Sequence, residues 1–106
     1  MESVEYNAVA FGEIVTVANV LQAQEKLRAA MGRVGPVVVN IDDASEIDLT
    51  FIQLMESARR KAAETGRDFR LRHPAGGAAL EVLRRGGFLD DETSERAKFW
   101  LQGTAQ

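Results

Sequence analysis

An aspartate and a threonine near the middle of the chain have the types and spacing of a regulated helix start. Asp48 is placed to cap a predicted helix, and Thr50 falls in its first turn. Unpaired N–H groups and the helix dipole favour an anion there, and a phosphate on Thr50 would add about −1.5 to −2 charges. Thr50 is therefore a candidate phospho-acceptor. The alternative is that its hydroxyl only helps to cap the helix.

The residues around Thr50 indicate a surface that binds a protein partner. An acidic loop precedes it, so an added phosphate would strain that loop and change the docking surface. Leu49 and Ile52 lie off the main apolar stripe of the helix, which predicts an exposed apolar pair. The alternative for this pair is packing against a neighbouring loop or helix. The predicted partner-binding residues are Asp43, Glu46, Asp48, Leu49, Thr50, Ile52 and Gln53.

The other reactive side chains form no catalytic or metal-binding pattern in the sequence. The chain has no Cys and one His, which excludes thiolate chemistry and a His-based zinc site. His73 has no carboxylate or nucleophile at a telling spacing, so we expect a structural or solvated side chain. Gly76 and Gly77 lack the spacing of a phosphate-binding loop and predict a simple turn. The chain is thus predicted to be no enzyme and to bind neither metal nor another cofactor.

Composition sets the class of protein and its partners. The 106 residues are expected to form one domain, with 102–106 as a frayed tail. The formal net charge of −3 argues against nucleic acid as a partner. No apolar run is long enough to span a bilayer, and the acidic N-terminus is unlike a signal peptide. We therefore expect a cytoplasmic protein that does not insert into a membrane.

Apolar periodicity predicts the elements of the first half. Residues 4–17 alternate loosely around Gly12, which predicts a β-hairpin. From about Asn19 the period becomes helical, and Gly32 ends that first helix. The continuous apolar run 37–41 predicts a central strand that is covered on both faces.

The second half continues the alternation of helix and strand. Gly66 ends the second helix, residues 69–72 alternate like a strand, and residues 78–85 form a short third helix. A last short helix contains Trp100, whose indole is either a core residue or a dimer contact. The order β-β-α-β-α-β-α predicts an α/β fold with mixed strand directions. The stripe of the second helix is Phe51, Leu54, Met55, Ala58 and Ala62.

Two groups of basic residues are predicted to be solvated. Those at 59–61 have Glu56 and Glu64 within reach for pairing along the helix. Arg67, Arg70 and Arg72 are placed on or beside a predicted edge strand, where they protect the edge from aggregation or bind an acidic surface.

This ordered series of segments resembles the STAS-domain family, the fold of bacterial anti-sigma-factor antagonists and of the cytoplasmic tails of sulfate transporters. The resemblance covers residues 11–89 and rests on the run 37–41, the helix start at 47–55 and the segments 66–71 and 80–88. It implies a roughly four-stranded mixed β-sheet with helices packed mainly on one face. The family signature Asp-Ser-Ser-Gly reads Asp48-Leu49-Thr50-Phe51 here. Thr50 thus replaces the second Ser, and Leu49 and Phe51 depart from the pattern.

The resemblance implies a regulatory protein that works by switching partners. In the antagonist version, the partner is an anti-sigma factor that is also a serine kinase. An alternative is a small accessory subunit that clamps the ATPase of a lipid ABC transporter, where a threonine in this segment is typical. A third version is a chemotaxis-associated protein. Weak self-association is compatible with all three.

Overall fold

Strands and helices alternate along the chain in the computed structural model, which describes residues 7–42, 44–91 and 93–102. The predicted α/β class is confirmed. The elements are β1 (Asn7–Ala10), β2 (Ile14–Val15), a 3-10 helix (Val17–Asn19), α1 (Val20–Met31), β3 (Val37–Asn40), β4 (Glu46–Ile47), α2 (Leu49–Glu64), β5 (Phe69–Leu71), α3 (Gly77–Arg85) and α4 (Glu95–Gln102).

The described strands form two small parallel sheets. β3 lies between β1 and β5 in a three-stranded sheet, and β2 pairs with β4 in a two-stranded sheet. The predicted hairpin is wrong for the described residues, because β1 and β2 belong to different sheets; residues 4–6 lie outside those ranges. The chain runs forward through Gly12 instead of turning back, and α1 supplies the long crossover that parallel pairing requires. The single four-stranded mixed sheet is likewise not formed by the described residues.

The acidic connection between β3 and β4 has more residues than the connection between β1 and β2, with which these strands pair. Ala10 pairs with Asn40 and Ile14 pairs with Glu46, so residues 11–13 lie opposite residues 41–45. The extra length is anchored at one point, since the N–H groups of Ser45 and Glu46 both donate to the Glu13 carbonyl at 2.9 and 3.0 Å. Ser45 and Glu46 are therefore fixed beside the residue that precedes β2, shortly before α2 begins.

The C-terminal end of α1 is held by Arg67. Its guanidinium donates hydrogen bonds to the carbonyl oxygens of Met31 and Gly35, both at 2.7 Å, and to those of Ala30 and Arg33. These bonds satisfy carbonyls that a helix end leaves without partners, and a cation there complements the helix dipole. Arg67 is thus a tertiary brace, although the sequence suggested a solvated residue beside an edge strand.

The other predicted helix ends are confirmed. Gly66 and Gly87 follow α2 and α3 with positive φ angles of 71° and 76°, a conformation that glycine adopts without a Cβ clash. The Phe88 N–H donates to the Leu83 carbonyl at 3.0 Å, and the Phe88 ring packs against the core. Gln102 is the last helical residue of α4; the rest of the predicted frayed tail lies outside the described ranges.

Large apolar side chains from both sheets and all four helices fill the core. The Phe11 and Phe51 rings meet edge to face with centroids 5.1 Å apart, an arrangement that aromatic pairs prefer. Trp100 is fully buried, so it is a core residue rather than an exposed dimer contact. The most deeply buried side chains are Val15, Val37, Val39, Phe51, Ile52, Met55, Leu71, Leu83 and Trp100.

A buried carboxylate joins α2 to α4. Glu56 accepts a hydrogen bond from the Trp100 indole N–H at 2.7 Å and from Arg59 Nη2 at 2.8 Å. Glu56 is 6% exposed and the Arg59 side chain is 16% exposed, so the predicted solvated position is wrong for Arg59. The physical reason is that α4 covers this side of α2, which a helix considered alone does not reveal. A buried charge needs such partners because desolvation penalises it.

α4 begins with a polar turn at Ser94, whose hydroxyl accepts a hydrogen bond from the Ala97 N–H at 3.1 Å. In the same turn, the Asp91 carboxylate accepts hydrogen bonds from the Thr93 hydroxyl at 2.7 Å and from the Thr93 N–H at 3.1 Å. These bonds stabilise the ionised form and lower the pKa of Asp91 below its usual value.

None of the described helices has the length and apolar character to cross a membrane.

We predict that the change Glu56→Ala lowers the free energy of unfolding by about 3–5 kcal/mol, because it leaves Arg59 and the Trp100 indole without their partner. Glu64→Ala is the matched control on the same helix: Glu64 is exposed, and its loss should change stability by less than about 0.5 kcal/mol. Urea denaturation followed by Trp100 fluorescence measures both. Equal losses for the two variants would contradict the role of Glu56.

Candidate functional site

Asp48 fixes the start of α2 with both of its carboxylate oxygens. Oδ1 accepts a hydrogen bond from the Phe51 N–H at 3.2 Å, which confirms Asp48 as the N-cap. Oδ2 accepts a hydrogen bond from the Val17 N–H at 2.8 Å, 31 residues away in sequence. One side chain therefore caps the helix and holds the 3-10 helix against it.

Thr50 lies in the first turn of α2 and is partly buried. The N–H groups of Phe51 and Ile52 are already bonded to Asp48, by its side chain and by its carbonyl oxygen at 3.4 Å. The cap is thus supplied by Asp48. A phosphate on Thr50 would lie beside the positive end of the helix dipole and beside the Asp48 carboxylate, two effects of opposite sign.

The predicted exposed apolar pair is half correct. Leu49 is 46% exposed, but Ile52 is fully buried, so the prediction of an exposed Ile52 is wrong. The reason is that α2 packs against α1, α3 and β5, and its buried face is consequently wider than one apolar stripe. Phe51, which replaces the glycine of the family signature, is also a core residue and contacts Phe11. Gln53 is exposed.

Other exposed apolar side chains belong to the segment that Asp48 ties to the start of α2. Val17 is 64% exposed, and its backbone is tied to Asp48, the residue that precedes Leu49. Leu21 follows one helical turn after Val17 and is 73% exposed. Ile14 is connected to the same segment, because the Asn19 side-chain amide donates to the Ile14 carbonyl at 2.7 Å. We call Ile14, Val17, Leu21 and Leu49 the apolar surface.

The apolar surface could not be found from the sequence pattern. The alternation of residues 4–17 predicts a hairpin for Ile14 and Val17, and the predicted apolar stripe of the first helix does not include Leu21. Of these four residues, the sequence predicts exposure on a binding surface only for Leu49. The missing information was the Asp48–Val17 hydrogen bond, which joins segments that are far apart in the chain. An exposed apolar cluster of this kind is typical of a protein-binding site.

Acidic residues flank the start of α2, as the sequence indicated. Glu46 is exposed in β4, and Asp42 is exposed at the end of β3. Asp42 Oδ2 lies 2.5 Å from His73 Nδ1, a carboxylate partner that the spacing in the sequence does not reveal. The parallel pairing of β3 with β5 brings the carboxyl ends of the two strands together. Asp43 lies outside the described residues.

No group of three or more potential metal ligands occurs among residues 7–42, 44–91 and 93–102. About two fifths of the side-chain surface of His73 and of Asp42 is exposed to solvent. No described contact joins this pair to the Thr50 hydroxyl. Gly76 and Gly77 form the turn that opens α3, as predicted.

Comparisons with models of protein families, with curated proteins and with solved structures found no significant match. The residues of the site and their geometry are therefore the basis for assigning a function.

The exposure difference between Leu49 and Ile52 gives a direct test. Leu49→Ser should change the free energy of unfolding by no more than about 0.5 kcal/mol, because the side chain is largely in solvent. Ile52→Ser should lower it by about 3–5 kcal/mol, since it removes buried methyl groups and buries a hydroxyl. Thermal and urea denaturation of the two variants measures this. A large loss in Leu49→Ser would place Leu49 in the core and remove it from the apolar surface.

Proposed function

We propose that this chain is a bacterial regulatory domain of STAS type that binds a protein partner through the start of α2 and catalyses no reaction. The observation that carries the proposal is the apolar surface, which Asp48 assembles around the first turn of α2 beside Thr50. Exposing apolar side chains to water is unfavourable in free energy, and a docked partner that buries them removes this penalty.

The order of elements supports the STAS assignment. Strand and helix alternate from β1 to α3, and Asp48 caps α2 where the family signature aligns. The family fold would add a fourth strand and mixed directions to the described three-stranded parallel sheet, with helices mainly on one face. A cytoplasmic location is part of the same proposal.

Phosphorylation of Thr50 is the proposed switch. Thr50 directly follows Leu49 of the apolar surface and lies two residues after Asp48 and four residues after Glu46. A docked partner would exclude water from a phosphate at this position, and desolvating that charge is costly. The unmodified hydroxyl should therefore be the form that binds. A partner serine kinase that is also an anti-sigma factor fits this cycle.

A second candidate function is the clamping of an ABC transporter ATPase by an accessory subunit, and a third is a role beside chemotaxis proteins. The threonine at position 50 makes the transporter version a rival, because a threonine is typical of that version in this segment. Neighbouring genes separate the three, because they would encode a kinase and a sigma factor, a lipid transporter, or chemotaxis components.

We predict that Thr50→Glu weakens binding to the partner encoded next to this gene by about tenfold to a hundredfold, through charge repulsion and desolvation. Thr50→Ala should bind within a few-fold of wild type. Ala63→Glu places the same charge at an exposed position near the far end of α2 and is the matched control. Calorimetric titration measures all three. Equal affinity for every variant would show that Thr50 is not the switch.

The apolar surface itself is tested by Val17→Ser and Leu49→Ser. Each should weaken binding of the same partner by about tenfold while leaving the melting temperature nearly unchanged. Val34→Ser is the matched control, because Val34 is 98% exposed on the loop between α1 and β3, away from α2's start. If Val34→Ser weakens binding as much as the other two changes, the partner docks elsewhere.

A further inference from the structure

A groove of about 580 Å³ runs between α1 and α2, and no residue of the apolar surface lines it. Its apolar lining comes from both helices: Leu27 and Met31 belong to α1, and Leu54 and Ala58 belong to α2. Leu27 is a core residue, and the other three are only partly buried. The groove therefore has an apolar floor that solvent reaches.

The charged residues that line this groove are all cations. They are Arg28, Lys61 and Arg67, and no acidic residue lines it, although the chain as a whole carries a formal net charge of −3. Arg67 is engaged by backbone carbonyls of the α1 end, which leave its positive charge uncancelled by a carboxylate. The rim is consequently positive on a negative protein.

The two outer cations can turn to a ligand at little cost. Arg28 pairs with Glu25, but both side chains are more than 60% exposed, and exposed ion pairs contribute little stability. Lys61 has no acidic residue within ion-pair distance in the part of the chain that the structure describes. Both charges are therefore available to pair with carboxylates of a docked molecule.

The cleft on the other side of Arg67 combines cations with carboxylates. It is lined by Arg59, Arg70 and Lys98, but Arg59 is bonded to Glu56 and Arg70 is bonded to Asp68 through two hydrogen bonds of 2.8 Å. Acidic residues also line it. Of these two clefts, the α1–α2 groove is therefore the one that combines an apolar floor with cations and no acidic residue in its lining.

We propose that the α1–α2 groove docks an amphipathic helix of a partner protein whose apolar face is flanked by acidic residues. A groove between two packed helices accepts the apolar face of a third helix, with anchors at spacings of three and four residues. Met31 is unbranched and flexible, so it adapts to different apolar anchors. This inference goes beyond the proposed function: it concerns residues outside the apolar surface and does not require Thr50.

The probe is a crosslinked helical peptide of about 15 residues, long enough for four turns, with leucines on one face and glutamates on both flanks. A second peptide carries lysines in place of the glutamates. Each is titrated into the full chain labelled with ¹⁵N, and amide shift changes locate the binding site. We expect the acidic peptide to move amide signals around Met31, Leu54, Ala58 and Lys61, and to bind at least about tenfold more tightly than the basic peptide.

Charge reversal at the rim completes the test. Lys61→Glu should weaken the acidic peptide about tenfold and strengthen the basic one, whereas Lys98→Glu, an exposed charge reversal on α4, should change neither. Circular dichroism confirms that both variants are folded. Raising the salt concentration should weaken the acidic peptide, because exposed charges are screened. Failure of the acidic peptide to bind, equal binding of the two peptides, shift changes outside the groove, or equal effects of Lys61→Glu and Lys98→Glu would overturn the proposal.

Discussion

The carboxylate of Asp48 is the constraint on which the candidate site depends. Its two oxygens accept hydrogen bonds from backbone N–H groups that lie 34 residues apart, at Val17 and Phe51. Capping alone would require only one of these bonds. The second bond brings the 3-10 helix, and with it Val17 and Leu21, against the first turn of α2. A local helix-start residue thereby builds a surface from two distant segments.

α2 is the element that relates the two proposed binding surfaces. Its first turn carries Leu49 and Thr50 beside acidic residues, and its later turns carry Leu54, Ala58 and Lys61 beside cations. The opposite flank of the same helix is used differently, since Ile52 and Glu56 are buried beneath neighbouring elements. The helix therefore has a core face and an outward face whose charge changes sign along its length. Two partners of opposite charge character can be distinguished by such a helix.

The parallel sheet decides which side chains meet at the carboxyl edge. Because β3 and β5 run in the same direction, Asp42 and His73 leave the sheet side by side and form a close contact. Ser45 and Glu46 come next among the described polar residues and are bonded to the Glu13 carbonyl shortly before α2 begins. The acidic residues are therefore held near the start of α2 by strand pairing, in addition to their proximity in sequence.

Local patterns in the sequence determined the four α-helices and the ends of α2 and α3. Helical stripes, the aspartate before α2 and the glycines after α2 and α3 act within one or two turns, so the periodicity and cap rules suffice for them. Tertiary packing alone decided the burial of Ile52, the pairing of Glu56 with Trp100, the role of Arg67 as a brace and the separation of β1 from β2. Each of these depends on which segment covers which face, and that choice is made by contacts between residues far apart in the chain. The apolar pattern of one segment does not show which other segments pack against it. The exposure of the residues in the candidate site was therefore the hardest property to predict.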